Sequence, residues 1–346
     1  MIRRPQPSYL DLYDALLLDL DGTVMHGARP IEHAAGGILA ARAAGAGIGF
    51  VTNNASRTPQ QVVDHLRLVG VEASAEEIVT SPQIAARLLA EQLDPGARVL
   101  VLGAESLASE VREVGLSPVA EDSEDVVAVI QGWDPTLDWR RLAEGCYALR
   151  RGARWMATNT DATLPTERGI APGNGSLVAV LRHATGLAPQ VAGKPEPGMF
   201  RGAAQRLGSS RPLAVGDRLD TDIEGGNRAG MDSLMVLTGV DSGMNALRAD
   251  PIRRPTWIER DLSALTGPAV RPVVEGERAR CGAVCATLQD GDIHLGGEAS
   301  DIRSLRAALA LITHHMPDAA FTGALRDAEG RELPEIPTPA GDQAAP

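Results

Sequence analysis

The apolar run Leu16-Leu17-Leu18 ends directly in Asp19-Leu20-Asp21-Gly22-Thr23. In extended backbone, residues two apart point to the same side, so both carboxylates can face one site. A second apolar run ends in Thr52-Asn53-Asn54, whose hydroxyl, amides and nearby backbone N–H groups are neutral donors suited to phosphate oxygens. Gly193-Lys194-Pro195 places one lysine before a predicted helix from Pro195 to Leu207, where the positive helix end would add to the ammonium charge. The segment LAVGDRLDTDIEGG is again an apolar run, ending in Gly216-Asp217 with Asp220 and Asp222 close behind. Each segment also has an ordinary reading: Asp and Gly make turns, while Thr, Asn and Asp cap helices. Their order, with three at strand ends and one at a helix start, argues for a common purpose.

Around these residues, short apolar runs alternate with helical patterns. Strands are expected at Leu16 to Leu18, Ile48 to Thr52 and Ile78 to Thr80, with helices at Ala34 to Ala44 and Pro59 to Leu68. This is the βαβ rhythm of a parallel sheet covered on both faces, whose ligands bind outside the carboxyl ends of the strands. A second alternating stretch has strands at Val99 to Leu102, Val126 to Gln131 and Trp155 to Thr158 and a helix at Leu177 to Thr185. The first rhythm then resumes with a strand at Leu213 to Val215, a helix from Thr221 to Ala229 and a strand at Ser233 to Leu237. The expected architecture is α/β: a Rossmann-like parallel-sheet core in two parts, 12–84 and 190–265, with an inserted α/β cap over 85–189. A proline- and charge-rich linker at 266–280, a small α+β region at 281–332 and a disordered tail at 333–346 complete the expectation.

Composition narrows the function classes. With 45 acidic against 33 basic residues the formal charge is -12, which repels nucleic acid and anionic membrane surfaces, so neither is an expected partner. No apolar run is long enough to span a bilayer, and MIRRPQPSYLDLYD lacks the apolar stretch of a signal peptide. Cys146, Cys281 and Cys285 form no short metal-binding pair and read as reduced thiols, so a cytoplasmic protein is expected.

The order DxDGT, Thr, Lys, GDxxxTD resembles the haloacid dehalogenase superfamily of aspartate-dependent phosphohydrolases, over Leu12 to about Leu265. The large insertion is similar to the cap of the subgroup holding nitrophenylphosphatases, phosphoglycolate phosphatases and pyridoxal phosphatases. Within it, TNTDATLPTERG followed by PGNGSLV resembles the substrate-facing segment of phosphoglycolate and glycerol 3-phosphate phosphatases, and the whole chain resembles the actinobacterial members of the latter. The resemblance implies a phosphomonoesterase of glycerophospholipid metabolism. Asp19 would attack phosphorus to form an aspartyl phosphate, and Asp21 would protonate the leaving oxygen and then deprotonate the hydrolytic water. So many carboxylates call for a hard cation, and Mg²⁺ suits a site shared with phosphate oxygens. Asp19, the main-chain carbonyl of Asp21 and Asp217 would hold it, with Asp222 orienting its shell; Lys194 would neutralise the phosphoryl group, and Thr52 and Asn53 would hold its oxygens. Asn54 and the Gly22 N–H are secondary candidates, and His26 is left outside the site.

A cap the size of a domain limits the substrate to a small soluble phosphate ester. Asn159, Asp161 and Arg168 are the candidates for its non-phosphate part, and glycerol 3-phosphate is the expected ester, with 2-phosphoglycolate or broad specificity as alternatives. A phosphoacceptor or regulatory binding protein is the non-enzyme alternative. RVLVLGAESLASEV runs from strand to helix as in dinucleotide-binding folds but lacks G-x-G-x-x-G. The segment from Cys281 to His315 resembles the appended region of the actinobacterial enzymes; it lacks a pyrophosphate loop, so acetyl transfer is not expected.

Overall fold

A computed structural model of the chain describes residues 6–166, 168–297 and 300–334. The chain forms two compact units, one built from residues up to Ile48 and from Leu207 onward, the other from Gly49 to Arg206.

In the first unit, strands Ala15–Leu18, Pro212–Gly216, Asp232–Val236 and Trp257–Glu259 lie side by side in that order, all parallel. Every residue of Ala15–Leu18 is buried, as expected of a strand covered on both faces, which is why it reads as an unbroken apolar run. The helix expected from Thr221 to Ala229 has a different start. Residues Leu219–Ile223 form a π-turn, with the N–H groups of both Asp222 and Ile223 donating to the Arg218 carbonyl at 3.1 Å, and the α-helix proper is Glu224–Arg228.

The expected linker at 266–280 carries two strands instead. Val273–Glu275 and Arg278–Cys281 pair antiparallel through a two-residue turn opened by Gly276 at φ +57°. Strands Val284–Gln289 and Asp292–Leu295 continue the sheet across the Asp290-Gly291 turn, where φ is positive at both residues, and Leu325–Arg326 adds a parallel edge. Asp301 caps the helix Ile302–His315, whose Leu305, Leu311 and Ile312 share one hydrophobic core with Ile223, Met235, Leu247 and Ile258. The Arg306 guanidinium pairs with Glu259, its Nε donates to the Ile258 carbonyl at 3.1 Å, and Tyr9 Oη donates to the same Glu259 at 2.5 Å. The appended region is therefore welded to the edge of the parallel sheet. Of the expected tail, residues 335–346 lie outside the described residues.

In the second unit, Phe50, Val51 and Thr52 of the strand Gly47–Thr52 pair parallel with Ile78–Thr80. Helices Pro59–Leu68 and Ser81–Ala90 start at Thr58 and Thr80, each of which forms a capping box with a glutamine three residues on. A five-stranded parallel sheet runs Gln190–Val191, Arg154–Ala157, Val126–Gln131, Arg98–Leu102, Ser117–Val119. Helices Trp139–Arg150 and Asn174–Thr185 pack on it through Ala148, Leu149, Val178 and Leu181. The fold class is α/β as expected, with parallel sheets, intervening helices and a small α+β appendage.

Lys194 does not precede a proline-started helix. The Lys194–Pro195 peptide is cis and lies in a turn closed by the Glu196 N–H on the Gly193 carbonyl at 2.9 Å, and the helix is Gly198–Arg206. A proline after a lysine reads in sequence as a first helical residue, but here it serves a turn.

Candidate active site

Asp19 follows the last residue of its strand, Asp217 follows the last residue of Pro212–Gly216, and Asp222 lies in the π-turn beyond. All three are buried, and they offer oxygens within 4.8 Å of one another. Parallel strand pairing brings the first two together: the Asp19 N–H donates to the Val215 carbonyl at 2.9 Å, continuing the register of Leu18 opposite Val215.

Close packing then aims the carboxylates. A Cβ on Gly239 would stand 1.9 Å from Asp217 Oδ2, and one on Gly216 would stand 2.2 Å from the Asp222 Cβ. Val240 N–H donates to Asp217 Oδ2 at 2.7 Å and Thr23 Oγ1 to its Oδ1 at 3.5 Å, while the Arg218 N–H donates to Asp222 Oδ2 at 3.1 Å. Three buried carboxylates held this closely are a hard-oxygen donor set that fits a divalent cation of the Mg²⁺ type and needs positive charge to offset their repulsion.

The Asp21 carboxylate does not join them. It is exposed and accepts the Gly27 N–H at 3.3 Å. Because the strand ends at Leu18, strand alternation does not set the direction of Asp21; beyond it the N–H groups of Thr23, Val24 and Met25 all converge on the Leu20 carbonyl, coiling the loop. Gly22, at φ +89°, allows that coil.

Thr238 to Asp241 is a segment whose role the sequence did not announce. Thr238 Oγ1 donates to the Gly22 carbonyl at 2.6 Å, the Asp241 N–H donates to the Asp217 carbonyl at 3.2 Å, and the Asp241 carboxylate accepts the Leu219 N–H at 2.8 Å. Burial raises the Asp241 carboxyl above its ordinary value. The pattern -TGVD- after an apolar strand is the only sequence signal for this loop.

The second unit gathers the other candidates. Thr52, buried, accepts the Asn54 N–H on its hydroxyl at 3.1 Å, and Asn54 Oδ1 accepts from Ser56. The Lys194 side chain is buried, with Nζ donating to the Val51 carbonyl at 3.0 Å. Asn53 bonds to the Lys194 main chain and, through Nδ2, to the Asp161 carboxylate at 3.2 Å. Asn159, also buried, donates to the Asn53 carbonyl at 2.8 Å and accepts the Asp161 N–H at 3.2 Å. Thr52, Asn53, Asn159, Asp161 and Lys194 thus form one cluster. Arg168 is exposed, in the turn of a hairpin formed by Thr163–Thr166 and Gly169–Pro172. His26 is exposed, on a two-residue strand.

The chain is similar to known proteins in sequence and in fold. The model of the family described as haloacid dehalogenase-like hydrolase matches residues 16–117, and a second, described as HAD-hydrolase-like, matches residues 191–265. A D-glycerol 3-phosphate phosphatase of Mycobacterium tuberculosis is 53% identical over 253 residues, 73% of this chain and 71% of that protein. The 5′-nucleotidase YutF of Bacillus subtilis is 40% identical over 246 residues, 70% of this chain and 94% of that protein. The crystal structure of a Mycobacterium tuberculosis glycerol phosphate phosphatase in complex with magnesium superposes with a TM-score of 0.83 at 44% identity, covering 93% of this chain and 95% of that one. With both family models matched in order along the chain and a 53% identical relative covered over 71% of its length, the chain belongs to the haloacid dehalogenase-like hydrolases.

Proposed function

We propose that this chain is a Mg²⁺-dependent phosphomonoesterase that removes phosphate from glycerol 3-phosphate through an aspartyl phosphate on Asp19. The observation that carries the reaction class is the buried trio Asp19, Asp217 and Asp222. The substrate rests on the 53% identity to a D-glycerol 3-phosphate phosphatase.

Phosphate monoesters hydrolyse so slowly unaided that enzymes supply accelerations up to ~10²¹-fold, so charge must be met from several directions. Asp19 attacks phosphorus, dividing one hard displacement into two easier ones. The exposed Asp21 exchanges protons with the leaving oxygen and then with water, and its exposure suits a group that must turn over between steps. Bound Mg²⁺ supplies positive charge beside the phosphoryl oxygens; Asp19, the Asp21 main-chain carbonyl and Asp217 are the residues that would hold it, with Asp222 orienting its shell. Lys194 offsets the phosphoryl charge, and Thr52 donates to its oxygens. Residues 85–189 are the cap that restricts the reaction to small esters, with Asp161 meeting the hydroxyls of glycerol and its negative charge disfavouring a carboxylate-bearing ester such as 2-phosphoglycolate. A cytoplasmic location suits such a substrate.

The test is kcat/KM of purified protein for glycerol 3-phosphate, 2-phosphoglycolate, pyridoxal 5′-phosphate and nucleoside monophosphates, together with Asp19→Asn. Glycerol 3-phosphate is expected to be preferred and Asp19→Asn to be folded and inactive. A clear preference for another ester would overturn the substrate, and steady turnover by Asp19→Asn would overturn the aspartyl-phosphate mechanism.

A further inference from the structure

One side-chain amide joins three segments of the second unit. Asn53 Oδ1 accepts the Lys194 N–H at 2.8 Å, and Asn53 Nδ2 donates back to the Lys194 carbonyl at 3.0 Å. This two-point pairing holds the Lys194 main chain in both position and orientation. Gly193 makes room for it, since a Cβ there would stand 2.5 Å from Asn53 Oδ1. The second Nδ2 hydrogen is shared by the two Asp161 oxygens, each at 3.2 Å. The Asn53 carbonyl accepts from Ser81 Oγ at 2.9 Å and from Asn159 Nδ2 at 2.8 Å, and Asn159 is itself held through its carbonyl by Asn174 Nδ2 at 2.7 Å. Both hydrogens of the Asn53 amide are therefore engaged inside the protein, and the side chain has no donor to offer a phosphate oxygen.

We infer that Asn53 is a positioning residue that clasps Asp161 to Lys194, holding the carboxylate that reads the alcohol part of the ester at a set separation from the ammonium that meets its phosphate. This rests on the phosphatase reading above and replaces the phosphate-holding role expected of the Asn53 side chain. A bond from an amide to a carboxylate is charge-assisted and directional, so it orients Asp161 as well as tethering it. Losing it frees the carboxylate to turn, and recognition of hydroxyls falls because a hydrogen-bonding site discriminates only while its groups are in place. An ester with no hydroxyl gains nothing from that orientation and should be affected less.

The experiment compares kcat/KM for glycerol 3-phosphate with that for 4-nitrophenyl phosphate, which carries no hydroxyl, in wild type, Asn53→Asp, Asn53→Ser and the double variant Asn53→Asp/Asp161→Asn. Asn53→Asp keeps the size and the acceptor for the Lys194 N–H but turns an oxygen toward the Asp161 carboxylate. It is expected to lose on the order of 10- to 100-fold more on glycerol 3-phosphate than on the nitrophenyl ester. Asn53→Ser removes the clasp without adding charge and should shift the ratio the same way. The double variant restores a donor–acceptor pair with the roles exchanged and leaves the amide oxygen at position 161 to accept from a hydroxyl in place of the carboxylate, so it should recover part of the ratio, which general damage to the fold would not do. An equal loss on both esters in Asn53→Asp and Asn53→Ser overturns the inference, since that is how a phosphate donor would behave. A wild type with no preference for glycerol 3-phosphate is a separate result, in which the substrate assignment fails and the clasp has no selectivity to support.

Discussion

The Asp217 carboxylate occupies the space that a side chain on Gly22 would need: a Cβ added to Gly22 would stand 2.3 Å from Asp217 Oδ2 and 2.7 Å from Oδ1. Gly22 also sits at φ +89°, which L side chains rarely adopt. Gly22→Ala should therefore displace both the nucleophile loop and the Asp217 carboxylate. Since misplacement by about 1 Å can cost ~10²-fold in rate, kcat is expected to fall at least that far while circular dichroism shows a folded protein. An alanine variant with near wild-type kcat would contradict the placement of these two residues in the site.

Activity should depend on Mg²⁺, because Asp19, Asp217 and Asp222 are buried together. Chelation is expected to abolish turnover and Mg²⁺ to restore it, with Ca²⁺ a poor substitute because its larger, looser shell disturbs in-line geometry. Independently of activity, Mg²⁺ should raise the Tm of the wild type, and by less in Asp217→Asn. Equal metal-induced shifts in the two proteins would remove Asp217 from the ligand set.

Glu110, on the helix Glu105–Glu113, is only 8% exposed, and its carboxyl is pushed up to about 7, first by burial and then by the neighbouring Glu113, against the opposing influence of Arg206. The folded state thus holds a proton that the unfolded chain releases near its ordinary value of 4.5. Stability from this group is highest below pH 4.5 and declines as pH rises toward 7. Glu110→Gln should flatten that decline, gaining on the order of 1–3 kcal/mol over wild type at pH 8 and little at pH 5. Urea unfolding at both pH values checks it, and an equal difference at each would count against a buried, protonated Glu110.

Arg306 and Glu259 are each under a tenth exposed, and they fasten the appended helix to the last strand of the parallel sheet. Removing one partner of a buried pair leaves a charge without compensation, which costs about 3–5 kcal/mol. Arg306→Ala should lower stability by that order, measured by thermal or urea unfolding as one transition. A separate early transition for the appended region, with the remainder unchanged, would show that the two do not share a core.

Much of the parallel framework was legible from sequence because strands buried on both faces must be apolar throughout, so Ala15–Leu18, Gly47–Thr52 and Pro212–Gly216 stand out before their polar ends. The candidates Asp19, Thr52 and Asp217 follow from that, since the end of a buried parallel strand is where polar groups first reach a ligand. Other features left no such mark. The strands at Val273–Glu275 and Arg278–Cys281 are short and lie among prolines and charges, which hid their alternation. Val240 holds Asp217 through a main-chain N–H that every residue but proline possesses, so its side chain signals nothing. Lys194 is marked in the sequence by its type, yet the turn that carries it has the sequence pattern of a helix start. Asn53 shows the division most clearly. Sequence identifies an amide at a strand end and the donors it can offer, but the partners that take them, Asp161 and Lys194, lie 108 and 141 residues away. Only tertiary folding brings such distant groups within hydrogen-bond reach, and so only tertiary structure decides whether a donor is left for the substrate or already spent within the protein.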